Sequence, residues 1–312
     1  MTVCDLNKRT SPLKATVPGK DTVCALVVTY FPNADLLSRL QRIRPQVAHL
    51  VIVDNGSSGE SANYLLQIEM QADTHIIRNS DNLGIATALN QGARWAESLG
   101  YDWLLAFDQD TVVSDDIVAA LSECYQHFPA KEKLAVIASN YIDVMSGYQL
   151  LRPIGDESTW EDVPMAITSG SLFSLSVFHA VGPFRDEFFI DSVDFEYCLR
   201  ALSRGYKVIV ARKAFTHHPI GAATMHKLPW RNKTLLTTNH SPLRRYYMVR
   251  NQLVLAREYL GSQTAPTALM LYRHLKAFTL MVLFEKEVWP KLKFMAIGAW
   301  DGLFSNFNRK LT

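Results

Sequence analysis

Asp108 and Asp110 stand one residue apart at the end of the apolar run Leu104-Leu105-Ala106-Phe107. Such a run is the mark of a buried strand in a parallel sheet, and ligands of open α/β sheets bind beyond the carboxyl ends of their strands. Two carboxylates at that place make a hard-oxygen site for Mg²⁺ or Mn²⁺, ions that keep some waters and take their remaining ligands from substrate phosphates. A D-x-D triplet on its own is more often a turn or a helix cap, and Thr111 to Asp116 has the composition of a helix start. The weight of the pair comes from its neighbours.

The second acidic group runs from Glu187 to Arg200, with Asp191, Asp194 and Glu196 among Phe188, Phe189, Phe195 and Tyr197. Asp191 and Asp194 share a face at i,i+3 spacing, and Glu196 is placed to pair with Arg200 at i,i+4. Apolar surroundings raise a carboxylate pKa toward neutrality, where a general base works; the plainer alternative is a set of helix-start acids favoured by the dipole. Asp54-Asn55-Gly56-Ser57-Ser58 closes another apolar run and suits a base or ribose contact as well as it suits a helix cap. Asn82-Leu83-Gly84-Ile85 opens a helix that carries Asn90, a start of the kind that favours anions. His217-His218 offers a metal or phosphate ligand, though such pairs are more often structural. Arg244, Arg245 and Arg250 lie on one helical segment, either clamping a diphosphate or forming a solvated basic face.

Elements that position these residues alternate through the first half. Strands are expected at 23–30, 47–53, 75–78, 103–107, 134–139 and 207–210, and helices at 35–43, 60–71, 85–99, 114–127 and 193–204. That alternation defines an α/β protein with a mostly parallel, Rossmann-like sheet flanked by helices. No G-x-G-x-x-G follows the first strand, which argues against a dinucleotide site. Residues 140–165 read as a hairpin insertion, and Thr168-Ser169-Gly170-Ser171 as a stretch of small residues permitting close ligand approach. Beyond His218 the alternation stops, and 243–260 and 266–307 read as amphipathic helices. Three divisions follow: a flexible leader over 1–20, a catalytic domain over 21–225 and a basic helical extension over 226–312.

The formal charge of +2 over 312 residues hides an asymmetry. From His226 onward there are 14 Lys and Arg against 4 Asp and Glu, a balance of +10 that leaves −8 for residues 1–225. An acidic body with a basic C-terminal third suits a phosphate-bearing ligand or an anionic membrane surface. No nucleic-acid module accompanies the basic residues. Cys4, Cys24, Cys124 and Cys198 show no C-x-x-C spacing, which excludes a zinc or dithiol framework and fits a reducing compartment. No signal peptide is expected, and no uninterrupted apolar run approaches the ~18 residues that span a bilayer. Phe278, Met281, Phe284, Trp289, Phe294, Trp300 and Phe304, interspersed with Lys286, Lys291 and Lys293, suggest a face for anionic lipid, for a second subunit or for the catalytic domain itself. The expected location is the cytoplasm or the inner face of the cytoplasmic membrane.

In their order along the chain these segments resemble the family 2 inverting glycosyltransferases of GT-A fold. The carrying motifs are Val27-Val28-Thr29-Tyr30, Val53-Asp54-Asn55-Gly56-Ser57, Asn82-Leu83-Gly84 with Asn90-Gln91-Gly92, Asp108-Gln109-Asp110 and the segment 188–200. Phe189-Ile190-Asp191-Ser192-Val193-Asp194, His218-Pro219-Ile220-Gly221, Ser241-Pro242-Leu243-Arg244-Arg245 with Arg250-Asn251, and Trp300-Asp301-Gly302-Leu303 are similar to the bacterial rhamnosyltransferase branch. The resemblance spans about residues 23–305. It implies that Thr29, Tyr30, Asp54 and Asn55 hold base and ribose, and that Asn82, Gly84 and Asn90 line the nucleotide-sugar cleft. It further implies that Asp108 and Asp110 hold the nucleotide and the metal ion, and that His218 contacts metal or diphosphate with Arg244, Arg245 and Arg250 nearby. Asp194 is the implied base and Asp191 the alternative, because Val193 stands where the broad family has Glu. The implied donor is dTDP-L-rhamnose and the implied acceptor a glycolipid or lipid-linked saccharide. Alternatives are a UDP- or GDP-linked donor, a sugar-nucleotide binder without catalysis, a nucleotidyltransferase, disfavoured by the lack of an early Gly-rich basic loop, and a structural module that forms a homo-oligomer.

Overall fold

The computed structural model describes residues 16–71, 73–151, 158–218, 224–227 and 234–309. Four strands build the first half of the main sheet: β1 (Val23–Thr29), β2 (His49–Asp54), β3 (Thr74–Arg78) and β4 (Trp103–Asp108). They lie side by side in the order β3-β2-β1-β4, all parallel. Helices α1 (Asp35–Ile43), α2 (Glu60–Glu69) and α3 (Ile85–Ser98) connect them. The core residues explain the arrangement: every residue of β1 is buried, and alternate side chains of β1 and β4 enter two apolar layers on opposite faces of the sheet. Each Val, Leu or Phe so enclosed contributes about 1.5–3 kcal/mol. Because β2 and β4 flank β1 on opposite sides, the chain reverses direction there. The crevice beyond the carboxyl ends of β1 and β4 is the place where an α/β sheet binds its ligand.

The second half is mixed. Beyond β4 come β8 (Ser171–Ser174), β6 (Leu134–Asp143), β9 (Lys207–His218) and β5 (Val112–Val113), with β7 (Trp160–Asp162) also paired to β9. β6 and β9 are parallel, while β8 is antiparallel to both β4 and β6. Parallel ladders still hold most of the paired residues, as expected. Helices α4 (Ile117–His127), α5 (Leu175–Val181) and α6 (Val193–Ser203) cover this half. The expected hairpin near 140–165 is present as a return from β6, with Asp143 N–H bonded to Tyr148 O at 2.8 Å; residues 152–157 lie outside the described residues. Strand β9 runs eight residues past its expected end at Val210, so His217 and His218 belong to a strand and not to a loop.

Residues 16–20 of the expected leader are held to the body: Trp103 Nε1 donates to Thr16 O at 2.9 Å, and Thr16 Oγ1 bonds Asp102. Residues 1–15, with Cys4, fall outside the described residues. Cys24, Cys124 and Cys198 are buried free thiols, each pushed up to about 12 by burial.

The boundary expected at 225/226 falls inside a hairpin of β10 (Thr224–Lys227) and β11 (Thr234–Thr237). After it come α7 (Pro242–Tyr259), α8 (Thr264–Phe284) and α9 (Val288–Leu303). One helix over 266–307 was expected; the chain instead breaks at Glu285, whose carboxylate turns inward onto Arg245 and Lys291, and at Glu287, which has φ 53°. Helix α9 packs against α7 at the closest range backbones allow. A Cβ on Gly298 would lie 2.4 Å from Tyr246 O, and one on Gly302 2.7 Å from Arg250 O. Helix α8 has 21 residues and is long and apolar enough to cross a membrane by length and composition. That corrects the expectation from uninterrupted runs, which the charges of Arg273 and Lys276 had cut short.

Candidate active site

A cleft of about 640 Å³ opens at the carboxyl ends of β1 and β4. It is lined by Thr29, Tyr30, Asn55, Asn82 and Gly84, by Asp108 and Asp110, and by Asp191, Asp194, His218 and Arg244. Residues from seven separate segments thus line one chamber.

The nucleotide side is a set of short turns bonded to one another. Asp54 accepts from Thr29 Oγ1 at 2.8 Å and from Ser57 N and Oγ at 2.8 and 2.6 Å. Asn55 Nδ2 donates to Gly84 O at 3.2 Å, and Asn82 Oδ1 accepts from Gly84 N at 3.0 Å. Gly84 has φ +85°, and a Cβ there would stand 2.6 Å from Phe189 O, so only glycine lets this turn meet the loop that carries the carboxylates opposite. Gln109, between the two aspartates, accepts from Tyr30 N at 2.9 Å and donates to Tyr30 O at 3.1 Å. This two-way bond ties the acidic turn to the end of β1, and no sequence signal marked it beyond the residue's place in the triplet.

Asp108, Asp110 and His218 form a three-residue group whose ligating atoms lie within 4.8 Å of one another. His218 Nε2 is 3.6 Å from Asp108 Oδ2, and Nδ1 is 3.3 Å from Asp110 Oδ1. Loss of water raises the Asp108 carboxyl above its ordinary range, and Asp110 adds to the rise. Burial pushes Asp110 the same way, but its contact with the His218 ring outweighs that and holds it low. Burial would depress His218; the two aspartates reverse this and raise it. Asp110 Oδ1 is buried and has no hydrogen-bond donor. An orphaned carboxylate oxygen beside a second carboxylate and an imidazole is a donor set that fits Mg²⁺ or Mn²⁺.

Across the cleft the chain is held in an unusual path. Phe189, Asp191 and Ser192 have φ values of 60°, 62° and 61°, in the left-handed region that costs non-glycine residues energy. The restraint comes from α7. Asn251 Nδ2 bonds the carbonyls of Phe188, Ile190 and Asp191 at 3.0, 2.9 and 2.8 Å, and Arg250 Nη2 bonds those of Glu187 and Phe188 at 2.6 and 3.2 Å. The Arg250 guanidinium is further sandwiched by Tyr247 and Phe307 at 4.8 and 5.0 Å. At the end of this loop Asp194 accepts from Thr168 N at 3.2 Å and Phe195 N at 2.9 Å. Burial pushes its carboxyl up to about 7, with Asp108 and Asp191 adding to the rise and the two amide bonds opposing it. Asp191 is occupied differently: both its oxygens are taken by Arg244, at 3.0 and 3.1 Å.

Four residues expected to touch ligand do not reach the cleft wall. Asp54 turns back into its own loop, as described. Asn90 is buried and braces α3 against Phe184 and Asp186. Arg245 points away into a buried group with Glu285, which also holds Lys291 at 2.9 Å. Arg250 is spent on the carbonyls above. Asp54, Asn90 and Arg250 obey one rule: a buried polar side chain must find its partners inside the protein; Arg245 does so through Nη2, while its buried Nε and Nη1 have no hydrogen-bond partner among the described residues. The expected pairing of Glu196 with Arg200 is present at 2.8 Å, with Tyr259 as a third member. Asn251 had no assigned role in the sequence; its signal was adjacency to Arg250. Asn251→Ala orphans the carbonyls of Ile190 and Asp191, each costing about 1–3 kcal/mol, while that of Phe188 keeps Arg250 Nη2 and Ile190 N. It should lower the urea midpoint and reduce kcat more than it raises the donor KM, since the loop and not the nucleotide turn is released.

A sequence profile described as glycosyl transferase family 2 matches residues 24–183. The chain is 32% identical over 249 residues to the dTDP-rhamnosyl transferase RfbF of Shigella flexneri, covering 76% of this chain and 80% of that protein. It is 30% identical over 106 residues to the poly-beta-1,6-N-acetyl-D-glucosamine synthase of Staphylococcus aureus, 34% of this chain and 24% of that one. Among solved structures, a mannosyltransferase of Pyrobaculum calidifontis in complex with GDP-Man and Mn²⁺ superposes with TM-score 0.56 at 15% identity, covering 91% and 88% of the two chains. GalNAc-T7 with UDP, GalNAc and Mn²⁺ superposes with TM-score 0.54 at 16% identity, covering 84% of this chain and 57% of that one.

Proposed function

Because the chain belongs to the family 2 glycosyltransferases and carries their GT-A fold, we propose that it transfers L-rhamnose from dTDP-L-rhamnose to a hydroxyl of a glycolipid or lipid-linked saccharide, with inversion at the anomeric carbon. The observation that carries this reading is a carboxyl poised near neutrality, Asp194, facing the Asp108–Asp110–His218 group within one cleft. The rhamnosyl choice is supported by the Shigella relative, whose similarity runs over three quarters of the chain.

In this reading Thr29, Tyr30 and Asn55 face the nucleoside, and Asp108, Asp110 and His218 would hold Mg²⁺ or Mn²⁺ at the diphosphate. When bound, the ion supplies positive charge that offsets the charge growing on the leaving phosphate. Asp194 takes the proton from the acceptor hydroxyl as that oxygen bonds to the anomeric carbon and the bond to the diphosphate breaks. The proton ends on the Asp194 carboxyl and the nucleoside diphosphate leaves. Arg244, oriented by Asp191, keeps a cation at the cleft. A base held so close to working pH is in both of its protonation states when needed, which a carboxylate near 4 is not.

A screen of nucleotide release over dTDP-, UDP- and GDP-sugars tests the assignment. dTDP-L-rhamnose should be turned over at least about tenfold faster than the others, a discrimination of about 1.4 kcal/mol, and NMR of the product should show the inverted anomer. A faster UDP- or GDP-linked donor would reassign the sugar. Binding without release for every donor would leave a sugar-nucleotide binder.

A further inference from the structure

Helix α8 presents a stripe outward that none of the described residues covers. Only 17% of its most apolar 18-residue window is buried. Tyr272, Leu275 and Leu283 are 63–65% exposed and, with Val282, follow the i, i+3, i+4 rows of one helical face. Trp289, at the corner where α9 begins, is 81% exposed. Of the face expected from the sequence, Met281 is instead buried and Phe284 packs on His226, while Trp289, Trp300 and Phe304 are exposed.

The charges beside the stripe choose its occupant. Arg273, Lys276 and Lys286 are exposed along it, and α8 has no Asp or Glu. The next acids are Glu285, which is buried against Arg245 and Lys291, and Glu287. A second copy meeting this face about a two-fold axis would bring these cations against themselves with no acid on α8 to answer them. An anionic headgroup layer answers them all, and tryptophan with long apolar side chains is the composition that settles at such a boundary.

The helix lies on that boundary and does not cross it. Its start follows Tyr259, which is bonded to Glu196 of the catalytic half. Its end is Glu285, which holds Arg245 and the Asn239 amide. Both ends of a helix about 32 Å long are therefore fastened to one body, so its axis runs along that body. The neighbour of Asn239, His240, lines the cleft. The fastened end of α8 is thus linked to the wall of the active site.

We infer that the outer face of α8, with Trp289, docks in the plane of an anionic phospholipid surface and brings the cleft to an acceptor anchored there. This deepens the acceptor part of the proposed function and is independent of the donor. The test uses the full chain in flotation with phosphatidylcholine vesicles, with and without phosphatidylglycerol. Wild type should float with the phosphatidylglycerol vesicles at low salt and be released at high salt. L283S, and separately the double variant K276Q with K286Q, should each lower the bound fraction about tenfold or more. Donor turnover without vesicles should be unchanged in both, and its loss would bear on the proposed function alone. Failure to float with phosphatidylglycerol vesicles at low salt overturns the inference. So does undiminished flotation of both variants, or a change of mass by light scattering that marks the stripe as a contact between copies.

Discussion

Asp194→Asn should leave donor affinity near that of wild type and lower kcat by about 10²–10⁴-fold, the usual contribution of a positioned base. The expected loss falls on kcat because Asp194 accepts backbone bonds from Thr168 and Phe195 and sits in the first turn of α6, on a segment separate from the turns at Thr29, Asn55 and Asn82. The amide can keep at least one of those bonds and so should preserve the loop. The pH dependence makes the test specific. A base with its pKa raised to about 7 is protonated and idle below that pH, so kcat/KM of the wild type should rise with pH and level off above about 7. The residual activity of the variant should lose that limb. Asp191→Asn is the control, since it breaks the bidentate pair with Arg244. It should raise the donor KM and leave the limb in place; the reverse outcome would move the base to Asp191.

The same carboxyl links activity to stability. Its folded pKa lies above the unfolded value of 3.8, so the folded state holds a proton that the unfolded chain has released. The stability this contributes is complete below pH 3.8 and is lost as pH rises through about 7. Asp194→Asn removes that loss, so the variant should gain on wild type between pH 4 and 7 and keep an advantage of roughly 3–4 kcal/mol above it. A group that destabilises the fold near neutral pH is what the proposed base role of Asp194 would entail.

The parallel half of the sheet was legible because its strands are buried on both faces and therefore run apolar without interruption until a turn breaks them: Val23 to Thr29, Leu50 to Asp54 and Trp103 to Phe107. The antiparallel additions were not. β5, β7 and β8 are two to four residues long, too short for a period to register, and only their pairing with β4, β6 or β9 defines them. The motif segments converged on one cleft as expected, yet a motif locates a turn without saying which way each side chain leaves it. Asp54 and Asn90 satisfy donors within the protein, and Arg245 and Arg250, spaced on one helix like a clamp for phosphate, point into the packing between α7 and its neighbours. Arg244 alone of the three arginines faces the cleft. Helical phase separates them: successive residues project about 100° apart, so adjacent arginines cannot share one ligand face.

Asp110→Ala should abolish the dependence of donor binding on the divalent ion. Calorimetric affinities measured with Mg²⁺ or Mn²⁺ and with chelator should converge in the variant, and kcat/KM should fall by about 10³-fold, the equivalent of ~4 kcal/mol of charge stabilisation at the diphosphate. The structure makes this a clean substitution. His218 Nδ1 loses the Asp110 oxygen at 3.3 Å but keeps Thr111 Oγ1 at 3.1 Å, so the ring is not left without a partner. The acidic turn is held instead by Gln109 on Tyr30 and by Ser169 Oγ against Asp108 N. Thermal stability should therefore stay within about 1 kcal/mol of wild type. Asp108 cannot serve the same purpose, because it ends β4 opposite Val28 and its removal would disturb the strand end as well as the ligand set. Metal dependence that survives in Asp110→Ala would detach the ion from this triad, and a nucleotide held by Tyr30, Asn55 and Arg244 alone would then have to leave against its own growing charge.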